Sequence, residues 1–231
     1  MLNASVKIIA KVLANRLREV LGDIIKDHQT GLLKSRSILD SIVIAKEVLH
    51  STKRNKTRDF TLKMGFEKNL PYDGMGMHLG NLALLGFTST WISRIRLWLQ
   101  SANVSVLVNG IQDREIYCKR DLHHSDPLSP LIFVLVADRL HHMIAECREE
   151  GHIKGLGSRD DTNIVINLHY ADDTLIFGEE CLSQAMILKW ILFCYEMWSK
   201  LKFNFHKSFL IFLVDISVND FLLSLVFNCP V

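Results

Sequence analysis

Proline and glycine are scarce, four and twelve in 231 residues, and nowhere do they gather into a linker that would divide the chain. The five cysteines (Cys118, Cys147, Cys181, Cys194 and Cys229) are odd in number and show no Cys-x-x-Cys spacing. That argues against a disulfide framework and fits reduced thiols in an intracellular protein. No basic stretch followed by an apolar run opens the chain, so no secretory signal is visible. The apolar tail Phe209–Val231 is broken by Asp215 and Asp220, whereas a membrane span needs about 20 apolar residues in a row. A net charge of only +2 gives no whole-chain argument for a polyanionic partner.

What is present is ordinary for a globular protein with a real core: 48% hydrophobic and 23% charged residues, in a length that suits one large domain or two small ones. Charge is unevenly placed. Lys53, Arg54, Lys56 and Arg58 form one basic stretch, and Lys200, Lys202, His206 and Lys207 another. Either could be a solvated loop or a track for phosphates.

Hydrophobic periodicity outlines the elements. Val6, Ile9, Ala10, Leu13, Leu17, Val20 and Leu21 recur at helical spacing, with Gly22 as a plausible stop. Ile38, Ile42, Ala45, Val48 and Leu49 predict the buried face of a second helix. Phe60, Leu62, Met64 and Phe66 alternate with Thr61, Lys63 and Gly65, which is strand periodicity. A helical region is expected over 78–100, and Asn109-Gly110 between two short apolar runs predicts a hairpin. Pro127 opens a helix that should bury Leu128, Leu131, Ile132, Leu135, Val136 and Leu140. On that helix His141 and His142 fall on opposite flanks and read as surface and rim. A further helix is expected from about Leu182 to Lys200. Strands separated by long helices, with hairpins among them, imply an α+β domain: a mainly antiparallel sheet with helices packed on one face.

The segment richest in chemistry is Tyr170-Ala171-Asp172-Asp173. Ile164, Ile166, Leu168 and Tyr170 alternate with Val165, Asn167 and His169 before it, and Thr174-Leu175-Ile176-Phe177 follows. The pattern predicts strand, tight turn and strand, with two carboxylates at the tip. Adjacent carboxylates repel, so they persist where water or a divalent cation holds them. From the tetrapeptide alone, a solvated Asp-Asp turn is an equal alternative.

Several blocks, in order, resemble the reverse-transcriptase domain of LINE-type (non-LTR) retrotransposons, particularly the plant kind. Ile8-Ile9-Ala10-Lys11-Val12-Leu13-Ala14-Asn15-Arg16-Leu17 resembles its N-terminal helix. Gln29-Thr30-Gly31-Leu32-Leu33-Lys34-Ser35-Arg36-Ser37 resembles its fingers motif. Phe66-Glu67-Lys68 with Tyr72-Asp73, Asp126-Pro127-Leu128-Ser129-Pro130, Tyr170-Ala171-Asp172-Asp173, and Leu201-Lys202-Phe203-Asn204 with Lys207-Ser208 match later blocks. The resemblance runs from about residue 6 to residue 210. It implies a fingers-and-palm fragment of a right-hand polymerase: a fingers-like helical segment over 1–58, a palm-like region over 59–210 and a divergent apolar tail over 211–231.

The resemblance also implies RNA-directed DNA synthesis, with an RNA template, a DNA primer and deoxynucleotides as partners. Such chemistry attaches a 3′-hydroxyl to an α-phosphate, with negative charge growing on the entering and leaving oxygens. Two Mg²⁺ ions about 3.5–4 Å apart clamp both. Asp172 and Asp173 are the implied metal ligands, with Asp172 the better placed by family position. Lys207 matches a late family lysine that could assist pyrophosphate departure. Arg36, Tyr72, Arg120 and His124 are the implied nucleotide- and template-binding residues. Action on genomic DNA would place such a protein in the nucleus.

The pattern breaks at telling positions. Gly65 stands where the family has its first catalytic Asp. Losing one such group typically costs a factor of about 10²–10⁴, roughly 3–6 kcal/mol of transition-state stabilisation. Glu67 shares the strand face but sits about 7 Å further along, and Asp73 lies beyond the intrusion Leu70-Pro71. Leu70 occupies the place of the aromatic residue expected beneath the nucleotide sugar, with Tyr72 displaced by two. Asp121 and Ser125 replace template-motif glycines, and His124 replaces a glutamine. The adjacent pair His123-His124 lacks partners at metal-ligand spacing. Met1–Ser5 replaces an Arg-bearing strand of the family, and no endonuclease domain, thumb or zinc knuckle is expected within the chain. The expectation is a degenerate copy with little or no polymerase activity. The alternatives are a non-catalytic nucleic-acid-binding module, or a decaying element without selected function.

Overall fold

The computed structural model describes residues 4–33, 36–67, 80, 82–83, 85–100, 103–108, 111–117, 127–157, 164–212 and 218–230. Tyr72, Arg120 and His124, the Leu70-Pro71 intrusion and the Asn109-Gly110 turn lie outside them.

Helix α1 spans Ala4–Ile24. It buries Ala10, Leu13, Ala14, Leu17 and Leu21, the stripe that the 3.6-residue period predicts, while Ile9 and Val20 face outward. Gly22 does not stop it. Helix α2 spans Ile38–Asn55 and begins at a capping box: the Ser37 side chain accepts from the Leu39 N–H, and Asp40 accepts from the Ser37 N–H. It ends where Lys56 turns left-handed. Its buried face differs from the expected one. Val48 is buried as expected, but Ile38 and Ile42 are exposed and Ser41 and Thr52 are buried in their place, because the Ser41 hydroxyl is paired with that of Thr30 at 2.7 Å.

Strand β1 (Asp59–Gly65) follows. Then come helix α3 (Ser89–Gln100), the hairpin β2 (Asn103–Val108) with β3 (Ile111–Tyr117), and helix α4 (Ser129–Glu149). Leu128, Leu131, Ile132, Leu135, Val136 and Leu140 are all buried, as the period predicts. Two short strands, β4 (Leu156–Gly157) and β5 (Ile164–Val165), pair with each other. The acidic hairpin is β6 (Asn167–Tyr170) and β7 (Asp173–Glu179), followed by helix α5 (Leu182–Ser199), a 3₁₀ turn (Phe205–Lys207), strand β8 (Phe209–Phe212) and helix α6 (Val218–Phe227).

The main sheet is antiparallel throughout, in the order β6-β7-β1-β8. Phe60, Leu62, Met64 and Ile176 point to one face, where they share a core with α4, α5 and α6 through Val136, Leu140, Leu188, Tyr195, Leu223 and Phe227. Tyr195 is fully buried there and donates its hydroxyl to the Val136 carbonyl. The other face is only partly covered: Val48 of α2 packs on Leu168 and Phe177. The α+β expectation holds, with the addition that α2 closes one end of the second face. The tail also needs correcting. Residues 209–212 form an edge strand of the sheet, and α6 contributes Leu223 and Phe227 to the core. The interruption at Asp220 hid this helix from a reading by hydropathy, yet Asp220 itself is buried. Among the described residues no helix is long and apolar enough to cross a membrane.

Candidate active site

The two expected halves of the site meet. β1 pairs with β7 so that Gly65 lies directly opposite Asp173, and the Phe66 N–H donates to the Asp172 carbonyl at 3.0 Å. The turn between β6 and β7 holds two residues, and its first, Ala171, is left-handed at φ 52°. A non-glycine residue in that region is held there at a cost of about 1–2 kcal/mol. Asp172 and Asp173 are therefore displayed at the open end of the sheet, both exposed to solvent.

Position 65 is a vacancy for a side chain. A Cβ built there would lie 3.6 Å from Asp173 Oδ1 and 3.9 Å from Lys207 Cβ, ordinary contact distances with no clash. Its φ is not in the left-handed range, so the backbone does not demand glycine. A carboxylate on β1 would thus project beside that of Asp173. Lys207, on the 3₁₀ turn, stands at the same spot because the Asn204 N–H donates to the Gly65 carbonyl at 2.7 Å and draws this turn against β1. Of the two aspartates, Asp173 is the one aimed at position 65.

The nearest cation in this arrangement is a side chain. Lys63, on the same face of β1 as Gly65, places Nζ 3.8 Å from Asp173 Oδ1 and 5.3 Å from the centre of the Phe209 ring. Glu67 is exposed, and its N–H is tied to the Lys202 carbonyl at 2.8 Å. Among the described residues this face offers two carboxylates from one strand tip, set against a hydrogen atom and an ammonium group, fewer anionic oxygens than a pair of Mg²⁺ ions requires. Among the described residues, no group of three or more His, Cys, Asp or Glu side chains is placed to hold a metal ion.

Arg36 has another set of partners. Its guanidinium reaches the carbonyls of Ile25 at 2.5 Å, Gln29 at 2.8 Å and Lys26, and lies 3.4 Å from Asp27. These contacts close off the C-terminal end of α1 and hold the loop that follows. That loop is the fingers motif, and it touches the acidic turn. The Thr30 N–H donates to the His169 carbonyl at 3.1 Å, and the His169 N–H donates to the His28 carbonyl at 2.8 Å. A Cβ on Gly31 would come within 2.5 Å of the Ala171 nitrogen, so only glycine permits this approach.

Behind the turn lies a group that the sequence reading missed. His28, His141, His142 and His169 gather around Asp138, a buried carboxylate on an otherwise apolar stretch of α4. His141 is half-buried. It stacks on His28 with ring centres 3.5 Å apart and pairs with Asn167 at 2.7 Å. Burial, then the neighbouring His28, push its pKa down to about 4. Burial also holds His169 well below the ordinary histidine value. The available signal was Asp138 itself: a charge on a helix face of valine and leucine needs partners.

Comparison with known proteins agrees with this geometry. The chain is 22% identical over 211 residues to the transposon TX1 uncharacterized 149 kDa protein of Xenopus laevis, covering 90% of this chain and 15% of that one. It is 29% identical over 68 residues to the uncharacterized mitochondrial protein AtMg01250 of Arabidopsis thaliana, covering 29% of this chain and 56% of that one. The chain therefore spans only part of each curated relative. Among solved structures, telomerase from Candida albicans, in complex with a fragment of telomeric RNA, superposes with a TM-score of 0.57 at 12% identity, over 93% of this chain and 35% of that one. Apo telomerase from Candida tropicalis gives 0.52 at 12% identity, over 90% and 37%. Such low identities speak for the fold alone, a polymerase fingers and palm. The model of the reverse transcriptase (RNA-dependent DNA polymerase) family matches residues 1–214, and with Asp172 and Asp173 on a palm hairpin beside β1, the chain belongs to the reverse transcriptase family.

Proposed function

We propose that this chain is the reverse-transcriptase region of a LINE-type (non-LTR) retrotransposon of the plant kind, and that this copy no longer extends a primer. The ordered sequence blocks and the likeness to a transposon protein support the first part. The second part rests on one observation: position 65 faces Asp173, has room for a Cβ and carries no side chain. An intact relative would align an RNA template, a DNA primer and a deoxynucleotide over this face, and Mg²⁺ would neutralise the charge that develops at the transferred phosphate. Here the ammonium of Lys63 already faces Asp173, and the face lacks the opposing anion that would draw a metal pair between β1 and β7.

Primer extension on an RNA template, with Mg²⁺ or Mn²⁺, tests this. The expected result is no product above that of an Asp172→Ala control. Product that vanishes with Asp172→Ala would overturn the proposal.

A second reading has a specific basis. Lys53, Arg54 and Lys56 remain exposed at the end of α2, and Lys202 and Lys207 are exposed beside the turn. Such residues can track a phosphate backbone without chemistry. RNA or DNA binding that weakens steeply with salt, and is unchanged by Asp172→Ala, would support a binding module.

A further inference from the structure

The acidic turn does not stand alone on its two strands. The loop His28–Gly31 grips it: one backbone bond enters and one leaves His169, and Gly31 lies against the Ala171 nitrogen. Gln29 is fully buried within this loop, and its Oε1 accepts the Gly31 N–H at 2.9 Å. On the far side Arg36 holds the carbonyls of Ile25, Lys26 and Gln29. The side chain of His28 enters the cluster that ties the loop to α4.

We propose that His28–Gly31 is a latch that positions the Asp172–Asp173 turn, and that it loosens when His141, stacked on His28, takes up a proton. The groups facing this pair are Asp138 and His142 from α4 and His169 from β6, with Asn167 as the neutral partner of His141. His28 Nε2 lies 3.0 Å from Asp138 Oδ1, and His142 Nε2 lies 3.2 Å from Asp138 Oδ2. The first of these is close enough for charge attraction, although its geometry falls short of a hydrogen bond. A proton on His141 puts a charge against the face of the His28 ring at 3.5 Å, in a half-buried position where hydration is reduced.

His169 transmits the change. Its Nδ1 is 2.7 Å from the Thr174 hydroxyl, so it joins the latch to the residue that follows Asp173. The direction in pH follows from the burial of His141 against His28. His141 binds its proton only near pH 4 when the latch is closed, but near the ordinary value of about 6.5 when it is open. The open form therefore takes up more protons between these limits. The closed form is fully favoured above about pH 6.5 and loses ground as pH falls toward 4. From His141 alone the open population should rise by up to about 20-fold between pH 7 and pH 5, and by less because its ring is partly exposed.

The test is amide hydrogen exchange on the whole chain from pH 7 to pH 5, expressed as protection relative to intrinsic exchange. Protection of the Thr30 and His169 amides should drop roughly tenfold more than that of amides in the β1–β8 pairing. His141→Gln, which cannot titrate but can still pair with Asn167, should remove that extra drop. Gly31→Ala should lower protection of the same two amides already at pH 7. Should His141→Gln not fold, the imidazole resonances of the unaltered protein decide: His141 must titrate in the same step as the loss of protection. Uniform loss across the sheet, a drop that persists in His141→Gln, or imidazole titration at a different pH would each overturn the proposal. None of these readouts depends on polymerase activity or on metal.

Discussion

The two faces of β1 have fared differently. On one, Phe60, Leu62, Met64 and Phe66 are at most 2% exposed and are packed against three helices. On the other, Lys63 is partly exposed and Gly65 lies opposite Asp173 of the acidic turn. Folding reads the even-numbered residues and catalysis reads the odd ones. A strand puts successive side chains on opposite faces, so a sequence can lose its chemistry on one face while leaving the core on the other untouched. The described palm keeps its packed scaffold, and on the proposed reading it lacks one catalytic carboxylate.

This contrast can be broken or sharpened in order of expected effect. Phe66 stacks on Phe203 and meets Phe133 and Tyr195. Phe66→Ala should cost about 3–5 kcal/mol, read as a shift in the urea unfolding midpoint. A loss below 1 kcal/mol would mean that the packed face is not what holds the palm. Next comes Gly31→Val, whose side chain must displace the turn backbone at Ala171. The expected loss is about 1–3 kcal/mol, with altered amide shifts concentrated at residues 169–173 in NMR spectra.

On the open face the effects are chemical and smaller. A Cβ fits at position 65, and Gly65→Asp adds the opposing carboxylate. Mn²⁺ binding, followed by paramagnetic broadening of Asp173 and its neighbours, should tighten about tenfold or more. Primer extension should still be weak, because the template and nucleotide segments depart from the family as well. Unchanged Mn²⁺ binding would show that Gly65 is not the missing half of the site. Lys63→Ala removes a partly exposed ion pair to Asp173 and should shift stability by about 0.5 kcal/mol or less. A larger shift would move Lys63 from the open face to the scaffold.

Much of this architecture was legible from periodicity. The alternation around β1, the acidic hairpin and the buried face of α4 all follow from local spacing, because each element buries what its own period dictates. The face of α2 was misread because Ser41 and Thr30 satisfy one another's hydroxyls, and no window along the helix contains both. Residues 209–230 read as a tail because short apolar segments do not announce which element they join. The site divides in the same way. Gly65 opposite Asp173 could be anticipated from motif order. The imidazole cluster could not, because residues 28, 141 and 169 meet only through the tertiary fold. Asp138 was the visible clue.

Gly65 has a consequence beyond the reaction. Its neighbours on both sides hold its main chain, Asp173 across β7 and the Asn204 N–H from the turn before β8, and no core contact depends on a side chain at that place. Cellular quality control inspects exposed apolar surface and unfolding, so it has nothing here to detect. On the proposed reading, a chain carrying this change would persist as a folded protein that no longer extends a primer.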